Sequence, residues 1–493
     1  MVLLTDLPPE IVQHVLGYVD PPDLGRVPLV CKNLYHTVKG NSAIFRSVYL
    51  NILDRPADQF NVNWEQIVKD TAHLQAIGRR DRGQDKENEL PFVYDTVKAL
   101  LRNASVATDT ERSRNAELLD GIFSEEANQS AFLCRSFIFE RAGKDHNLLY
   151  DPTPRVDHQK SAQLHCLYGV PILQAKPGSP WTRANEMRLY ACAKVYDLRQ
   201  YTEKTKWGPF MDDDTDRVDW EKVEAIMIVI GSNLRKLRLT SFPECKDHWE
   251  LSFAGVWPQS YVPSPFACQP ESLELQDPYD ITGNWLRVVC FLDYTDFFAY
   301  NFSTQNVINP SQPLPAIDFG EATRLILMKL HVTKIEPPGP DDGQELPVVY
   351  FEGVSRSLDD SRDENANSDL RGMRGSVRLT REGEVRWTTF SIFSGEERWR
   401  SESVQIGGVR SAKGVLGNWF DKDFDHRGPA GPTAFWKVPE GITNSQVQSA
   451  LSYDFNNESE DEYEPLESPQ SGDEDGEEEM VGWHFTTRVA QDD

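Results

Sequence analysis

The run Trp285-Leu-Arg-Val-Val-Cys-Phe-Leu292 marks the point at which the hydrophobic period of this chain changes. It is rich in β-branched and aromatic residues, which are enriched in strands. A second aromatic run, Phe297-Phe-Ala-Tyr-Asn-Phe302, follows a short break at Asp293-Tyr-Thr-Asp296. Two such runs separated by a few turn-forming residues predict a β-hairpin.

The sequence after this hairpin predicts an antiparallel β-barrel. Gly, Pro and Asp turns separate seven more strand-like runs, and no helical pattern lies between them. A closed barrel is favoured over a sandwich because closure leaves no free sheet edge. The runs cover residues 323–336, 347–353, 375–381, 385–393, 398–406, 415–420 and 433–438. The barrel domain is expected over residues 241–440.

The N-terminal half has the period of helices instead. In the first fifty residues, apolar side chains between Pro9 and Val19 form one helical stripe, and a second set from Leu24 to Val38 stops before Gly40. This predicts two or three short helices in a domain over residues 1–50. Residues 51–240 are predicted to be a helical linker region, and the clearest helix follows Asp219, where apolar residues step by three and four.

Composition narrows the class of protein. The chain of 493 residues carries 51 Lys and Arg against 78 Asp and Glu, a formal charge of -27. This balance argues against a nucleic-acid partner and against an anionic membrane, because both attract basic surfaces. The seven scattered cysteines contain no C-x-x-C pair, so reduced thiols and a cytoplasmic or nuclear location are expected.

The C-terminal segment is strongly acidic. Twelve carboxylates and no Lys or Arg lie between Asn456 and Met480, so residues 441–493 are predicted to be a disordered acidic tail. Residues 371–413 hold nine basic side chains against five acidic ones. The tail could therefore compete with an acidic substrate for this basic segment, although a simple solubilising role is favoured.

Motifs for enzyme chemistry or metal binding fail on their spacing. Gly407–Gly414 has Ala and Gly where a phosphate-binding loop needs Gly and Ser or Thr around its lysine. The aspartate-rich turns at 212–216 and 421–425 lack the Gly and Glu of a calcium loop. The adjacent pair His165-Cys166 is more typical of core packing than of a nucleophilic or metal site. No catalytic residue, cofactor or metal is therefore expected.

The N-terminal fifty residues closely resemble the F-box. The resemblance rests on Leu4-Thr-Asp-Leu-Pro-Pro-Glu-Ile11, Val15-Leu16-x-Tyr18, Asp20-Pro21-x-Asp23-Leu24 and Leu29-Val30-Cys31-Lys32, in this order. It implies a helical module that binds the Skp adaptor of a Skp-cullin-F-box ubiquitin ligase. Carried over, the interface or motif-core positions are Leu7, Pro8, Ile11, Val15, Leu16, Leu24, Val27, Val30 and Cys31.

The region up to about residue 440 resembles fungal F-box proteins, whose C-terminal part is similar to the animal F-box-only proteins with a cyclin-binding β-barrel. The matching segments are 196–201, 207–210, 218–227, 277–285 and 399–408. Gly283-x-Trp285 at the first strand is also similar to the start of a lipocalin barrel. The resemblance implies an α+β chain in which a lipocalin-like barrel receives a substrate.

These features together predict a non-catalytic substrate receptor. The partners are the Skp adaptor, the cullin scaffold and an unknown protein substrate, with a cyclin-like protein as one candidate. Four barrel residues are the candidate substrate contacts because Trp and Arg are enriched at binding hot spots: Trp387, Trp399, Arg400 and Trp419. The alternative is a barrel that binds a small apolar ligand and uses the F-box for regulation.

Overall fold

The computed structural model describes most of the chain up to Val438. The described residues are 7–56, 62–81, 86–106, 112–143, 156–173, 184–236, 249–261, 273–303, 313–358 and 371–438. Residues 1–450 form one compact unit, and the predicted acidic tail lies outside the described residues.

The N-terminal module consists of short helices. They are α1 (Pro9–Leu16), α2 (Pro21–Leu24), a 3₁₀ turn (Val27–Leu29), α3 (Lys32–Val38) and α4 (Ser42–Ile52). Pro28 lies within the 3₁₀ turn and lacks a backbone N–H, which explains why the second apolar set forms three short pieces. Gly40 follows α3 with φ of +67°, a conformation that favours glycine.

Helices also fill the middle of the chain, as predicted. They are α5 (Trp64–Gly78), α6 (Leu90–Arg102), α7 (Arg114–Phe123), α8 (Glu126–Phe132), α9 (Phe137–Gly143), α10 (Val156–Tyr168), α11 (Ala184–Val195) and α12 (Trp220–Lys236). The helix predicted after Asp219 is α12, which packs against α10, α11 and the barrel. Among the described helices, none has the length and apolar character that crossing a bilayer requires.

The C-terminal part is a closed antiparallel barrel, which confirms the predicted architecture. Each strand pairs with the next along the chain, and β8 returns to pair with β1. The strands are β1 (Gly283–Leu292), β2 (Glu321–Glu336), β3 (Val348–Ser357), β4 (Arg371–Leu379), β5 (Val385–Phe393), β6 (Glu396–Gln405), β7 (Val415–Asp421) and β8 (Gly431–Val438).

The predicted hairpin at the start of the barrel is wrong in its second half. Residues Tyr294–Phe302 form a helix, α13, and β1 pairs with β2 instead. The Asp293 side chain accepts a hydrogen bond from the backbone N–H of Thr295 and caps the helix. Tyr294, Phe298 and Phe302 repeat every four residues, which is a helical spacing. The aromatic residues between them make this spacing hard to recognise in the sequence.

Aromatic side chains fill one end of the barrel interior. Trp285, Trp387 and Phe435 contact one another edge to face at ring separations of 5.1–5.8 Å. Phe351 packs on Trp387 from β3. All four side chains are almost completely buried, so this end of the interior is a packed core.

Lys413 joins the barrel to the helical region. Its backbone carbonyl accepts hydrogen bonds from the indole N–H groups of Trp249 (2.7 Å) and Trp436 (2.9 Å). Its ammonium group donates to the carbonyl oxygen of Tyr168 at the end of α10. Burial lowers the pKa of Lys413 to about 7, so this cross-link contains a lysine that titrates near neutral pH.

Candidate functional site

The first helix of the N-terminal module has one buried and one exposed apolar face. Val12 and Leu16 pack inside, whereas Ile11 and Val15 remain 48% and 42% exposed. Tyr18, seven residues after Ile11, continues the exposed face beyond the helix end. Because a soluble monomer rarely leaves contiguous apolar side chains in water, this face is a candidate docking surface.

A second exposed apolar group lies on the 3₁₀ turn and α3. Leu29 is 83% exposed and Val30 is 72% exposed, while Leu24 and Leu34 nearby are buried. Tyr35 is also exposed and accepts a hydrogen bond from the Lys39 ammonium at 2.7 Å. We call the exposed set the F-face: Ile11, Val15, Tyr18, Leu29, Val30 and Tyr35.

The predicted adaptor positions divide by burial. Those exposed to solvent are Pro8, Ile11, Val15, Val30 and Cys31, and those partly buried are Leu7 and Val27. Leu16 and Leu24 are almost fully buried, so they belong to the core of the module and not to its surface. Tyr18, Leu29 and Tyr35 were not among the predicted contacts, although the helical spacing of Tyr18 from Ile11 could have indicated it.

Buried hydrogen bonds attach this module to the helical region. The Asp54 carboxylate, just after α4, accepts from the backbone N–H groups of Arg114 (3.0 Å) and Ser105 (3.1 Å) and from the Ser113 hydroxyl (2.5 Å). The Asp54 N–H in turn donates to the Asn115 side chain at 2.9 Å. A hydrogen-bonded buried carboxylate of this kind fixes the direction in which the module leaves the helical region.

The candidate substrate residues occupy three different environments. Trp387 is fully buried in the barrel core, and its indole N–H donates to Gln405 at 3.1 Å. A protein on the outside of the barrel cannot contact it in this structure.

Trp399 and Trp419 lie at the opposite end of the barrel from this core. They are half-buried, and their rings meet edge to face at 5.2 Å. Phe291 contacts Trp419 at 6.5 Å, and the Arg398 guanidinium lies over the Trp399 ring. We call this end, where β1 and β7 finish, the barrel mouth.

Arg400 lies on the outer surface of the barrel and not at the mouth. Its guanidinium donates to the fully buried carboxylate of Glu402, which also accepts from Arg386 at 2.9 Å. The Trp207 ring lies 5.3 Å from the Arg400 guanidinium. A Cβ on Gly208 would lie 2.7 Å from the Glu402 side chain, so the loop reaches this close because residue 208 is glycine. Arg400 therefore helps to hold the 201–217 loop on the barrel.

Helix α13 adds an aromatic stripe that sequence analysis misplaced in a strand. It begins immediately after β1 ends at the barrel mouth. Tyr294 and Phe298 are exposed, with their rings 6.1 Å apart, and Phe302 continues the stripe at 4.7 Å from Phe298. Exposed aromatic side chains next to a binding mouth are well suited to contact a protein partner.

Three residues from the motifs considered for catalysis or metal binding are buried or form ion pairs. Cys166 is fully buried, and burial raises the pKa of its thiol well above the ordinary value, which makes it a poor nucleophile. His165 is also buried, 2.6 Å from Glu224. Asp216 in the first aspartate-rich turn pairs with Lys206 and Arg386. Within the described ranges, no group of three or more His, Cys, Asp and Glu side chains could hold a metal ion.

Comparison with known proteins identifies the N-terminal module. The F-box-like family model matches residues 4–51. No curated protein and no solved structure matches the chain. The matched range contains α1, α2, α3, all but the last residue of α4, and the whole F-face. Residues 4–51 are therefore an F-box-like domain, and this supports an F-box protein.

Proposed function

We propose that this chain is the substrate-recognition subunit of a Skp-cullin-F-box ubiquitin ligase. F-box domains commonly bind the Skp adaptor, and F-box proteins are generally non-catalytic substrate receptors. The observation that carries the proposal is the F-face, which leaves large apolar side chains in water on the matched domain. The adaptor would cover these side chains and link the chain to the cullin.

The F-face has the chemistry of a protein interface. Leu29 and Val30 are exposed more completely than Ile11 and Val15, so they gain most from burial against a partner. Tyr18 and Tyr35 add aromatic rings with a polar end, a combination that is enriched at interfaces. Leu16 and Leu24 would contribute indirectly, because their buried side chains hold the short helices that carry the F-face in place.

We assign the protein substrate to the barrel mouth. Trp399, Trp419 and the exposed α13 residues Tyr294 and Phe298 would contact it, while Arg400 would position the neighbouring loop. Trp387 would support the mouth through the core. A barrel of the cyclin-binding kind found in animal F-box-only proteins fits this arrangement, with a cyclin-like protein as one candidate substrate and a cytoplasmic or nuclear site of action.

In this proposal the chain promotes ubiquitin transfer by bringing the substrate close to the enzyme that carries ubiquitin. The transfer needs no reactive residue of this chain. The ligase would hold a substrate lysine near a ubiquitin-charged enzyme and raise its effective concentration. Such a receptor must keep a defined distance between adaptor and substrate. The Asp54 hydrogen bonds and the Lys413 cross-link support this requirement, because they tie the F-box-like domain and the barrel to the same helical region.

An apolar ligand inside the barrel is less well supported. A ligand in the Trp285 end would have to displace Trp387, Phe351 and Phe435 from a packed core. That displacement would cost the dispersion contacts of these three large side chains.

Co-purification from cells tests the receptor proposal. The full chain should retain adaptor, cullin and candidate substrates, whereas a Leu29→Asp, Val30→Asp variant should lose adaptor and cullin but keep the substrates. Leu275 is 74% exposed outside the F-box-like domain, so Leu275→Asp is the matched control and should retain everything. Retention of adaptor and cullin by the double variant would contradict the proposal.

A further inference from the structure

Helix α3 presents basic and aromatic side chains beside the apolar part of the F-face. Four exposed residues of α3 and its C-terminal end are spaced so that they share one face of the helix. We call this set the basic stripe: Lys32, Tyr35, His36 and Lys39. Leu34 and Val38, on the other side of the helix, are buried. The outward side of α3 therefore carries two cations and two rings.

The basic stripe is continuous with the F-face. The Lys39 ammonium donates a hydrogen bond to the Tyr35 hydroxyl at 2.7 Å and lies 5.0 Å from the centre of the Tyr35 ring. The His36 ring meets the Tyr35 ring edge to face at 5.4 Å. Lys32 follows Val30 by two residues. Because Tyr35 and Val30 belong to the F-face, a partner that covers the F-face would also reach both lysines.

The two lysines of the basic stripe have no carboxylate partner in the described part of the chain. Lys39 contacts the Tyr35 hydroxyl instead, and Lys32 forms no ion pair. Residues 24–53 include four Lys and Arg residues and no Asp or Glu. Of these four, Arg26 pairs with Asp23 at 3.1 Å. A local positive charge therefore remains beside the F-face, although the formal charge of the whole chain is -27.

This local charge gives the F-face a direction that its apolar side chains do not provide. Apolar burial is non-directional, so Leu29 and Val30 could stabilise several orientations of a partner. Charges at the rim of an interface fix its register and accelerate the encounter when the partner carries the opposite charge. Because such attraction extends only about 10 Å in about 0.1 M salt, two lysines beside the interface can act there within an acidic chain.

We propose that the Skp adaptor meets the basic stripe with an acidic surface. Its carboxylates would pair with Lys32 and Lys39 while its apolar side chains cover Leu29 and Val30. This inference rests on the proposed function, because it names the chemistry of the surface that the adaptor brings to the F-face. An anionic membrane would attract the same two lysines, but it would repel the acidic remainder of the chain.

Association kinetics of the purified full chain with purified Skp adaptor test the inference. The wild-type association rate constant should be roughly tenfold higher in about 50 mM salt than in about 500 mM salt, because salt screens exposed charges. Lys32→Glu combined with Lys39→Glu should slow association about tenfold at low salt and should match the wild-type rate at high salt. The dissociation rate constant should change by less than about threefold, since rim charges act mainly on association.

Two further variants control for net charge and for charge reversal. Lys204 and Lys334 are exposed and lie outside the F-box-like domain, so Lys204→Glu combined with Lys334→Glu changes the net charge equally. This control should keep the wild-type association rate and salt dependence. Lys32→Gln combined with Lys39→Gln removes both charges without reversing them and should slow association by about threefold. Equal melting temperatures would show that the variants remain folded.

The outcomes distinguish this inference from the proposed function. Adaptor association that is equally fast at both salt concentrations would overturn the acidic surface and leave adaptor binding intact. Wild-type association by the Lys32→Glu, Lys39→Glu variant at low salt would do the same. Absence of adaptor binding by the wild-type chain would overturn both. Salt-independent adaptor association, together with binding to phosphatidylserine vesicles that this variant loses, would assign the basic stripe to a membrane instead.

Discussion

Trp399 on β6 and Trp419 on the neighbouring strand β7 meet edge to face at the barrel mouth, with their ring centroids 5.2 Å apart. Trp419 is fixed from below, because its indole N–H donates to the carbonyl oxygen of Cys290 at 3.0 Å. Trp399 is covered by the Arg398 guanidinium, which solvent can reach. The pair is thus an ordered, partly exposed aromatic surface at the end of the barrel opposite the Trp285 core.

Alanine substitutions should separate the mouth from the core. Trp399→Ala and Trp419→Ala should abolish substrate co-purification and lower the free energy of unfolding by only about 1–2 kcal/mol, because both side chains are half-exposed. Trp387→Ala should lower it by about 3–5 kcal/mol, because the change leaves a cavity in the core. Urea denaturation gives the stabilities, and mass spectrometry of co-purified proteins gives the binding. Unchanged substrate binding by both mouth variants would exclude the mouth as the substrate site.

Stability should rise between pH 7 and pH 8. Burial lowers the pKa of Lys222 and Lys413 to about 7, whereas both lysines in the unfolded chain keep a proton up to about pH 10. The unfolded chain therefore binds more protons in this interval, and each lysine should add about 1 kcal/mol of stability as the pH rises. Buried thiols such as Cys166 oppose the trend above pH 8, where the unfolded chain begins to lose thiol protons.

Substitution of either lysine tests this pH dependence. Lys222→Met or Lys413→Met should each remove about half of the rise in the free energy of unfolding, measured by urea denaturation at several pH values. Lys69→Met is the control, because Lys69 is an exposed lysine on α5 and should not alter the slope. If the free energy of unfolding rises equally steeply with pH in the wild-type chain and in both buried-lysine variants, groups other than Lys222 and Lys413 control the pH dependence.

The acidic tail should not compete for the basic segment at 371–413. The structure already pairs many of these basic side chains with carboxylates: Arg374, Arg378, Arg381, Arg386, Arg400 and Arg410. Lys413 is buried. Deletion of residues 456–480 should therefore leave substrate affinity unchanged at both low and high salt. Tighter binding after deletion, strongest at low salt, would instead support competition.

Much of the fold could be predicted because hydrophobic periodicity reports it directly. The strand pattern predicted the barrel, and the three-and-four spacing after Asp219 predicted α12. The helix α13 was missed because its aromatic residues are almost continuous, so neither period stands out. Two signals in the sequence indicate the helix: the cap at Asp293, a residue type typical of helix starts, and the four-residue spacing of Tyr294, Phe298 and Phe302.

The candidate site was harder to predict than the fold. It depends on how deep each side chain lies along the barrel axis as well as on whether the side chain faces inward. Alternation places Trp387, Trp399 and Trp419 on inward faces alike, but strand register sets their depth. Trp387 pairs with Ser403 deep in the interior, whereas Trp399 pairs with Asp421 at the rim. Arg400 and Glu402 share the outer face two residues apart, so their pairing was accessible from sequence. The burial of Glu402 by the neighbouring 201–217 loop could not be predicted from the sequence.

The affinity of the purified full chain for purified Skp adaptor tests the central claim most directly. Wild-type protein and Leu275→Asp should bind with the same dissociation constant in a biosensor titration. Ile11→Asp combined with Val30→Asp should weaken binding by about a hundredfold or more, since each change removes an apolar contact of roughly 1.5 kcal/mol and buries a charge. Unchanged melting of the variant would show that the domain stays folded. Binding of the double variant as tightly as the wild-type chain would contradict adaptor recognition through the F-face.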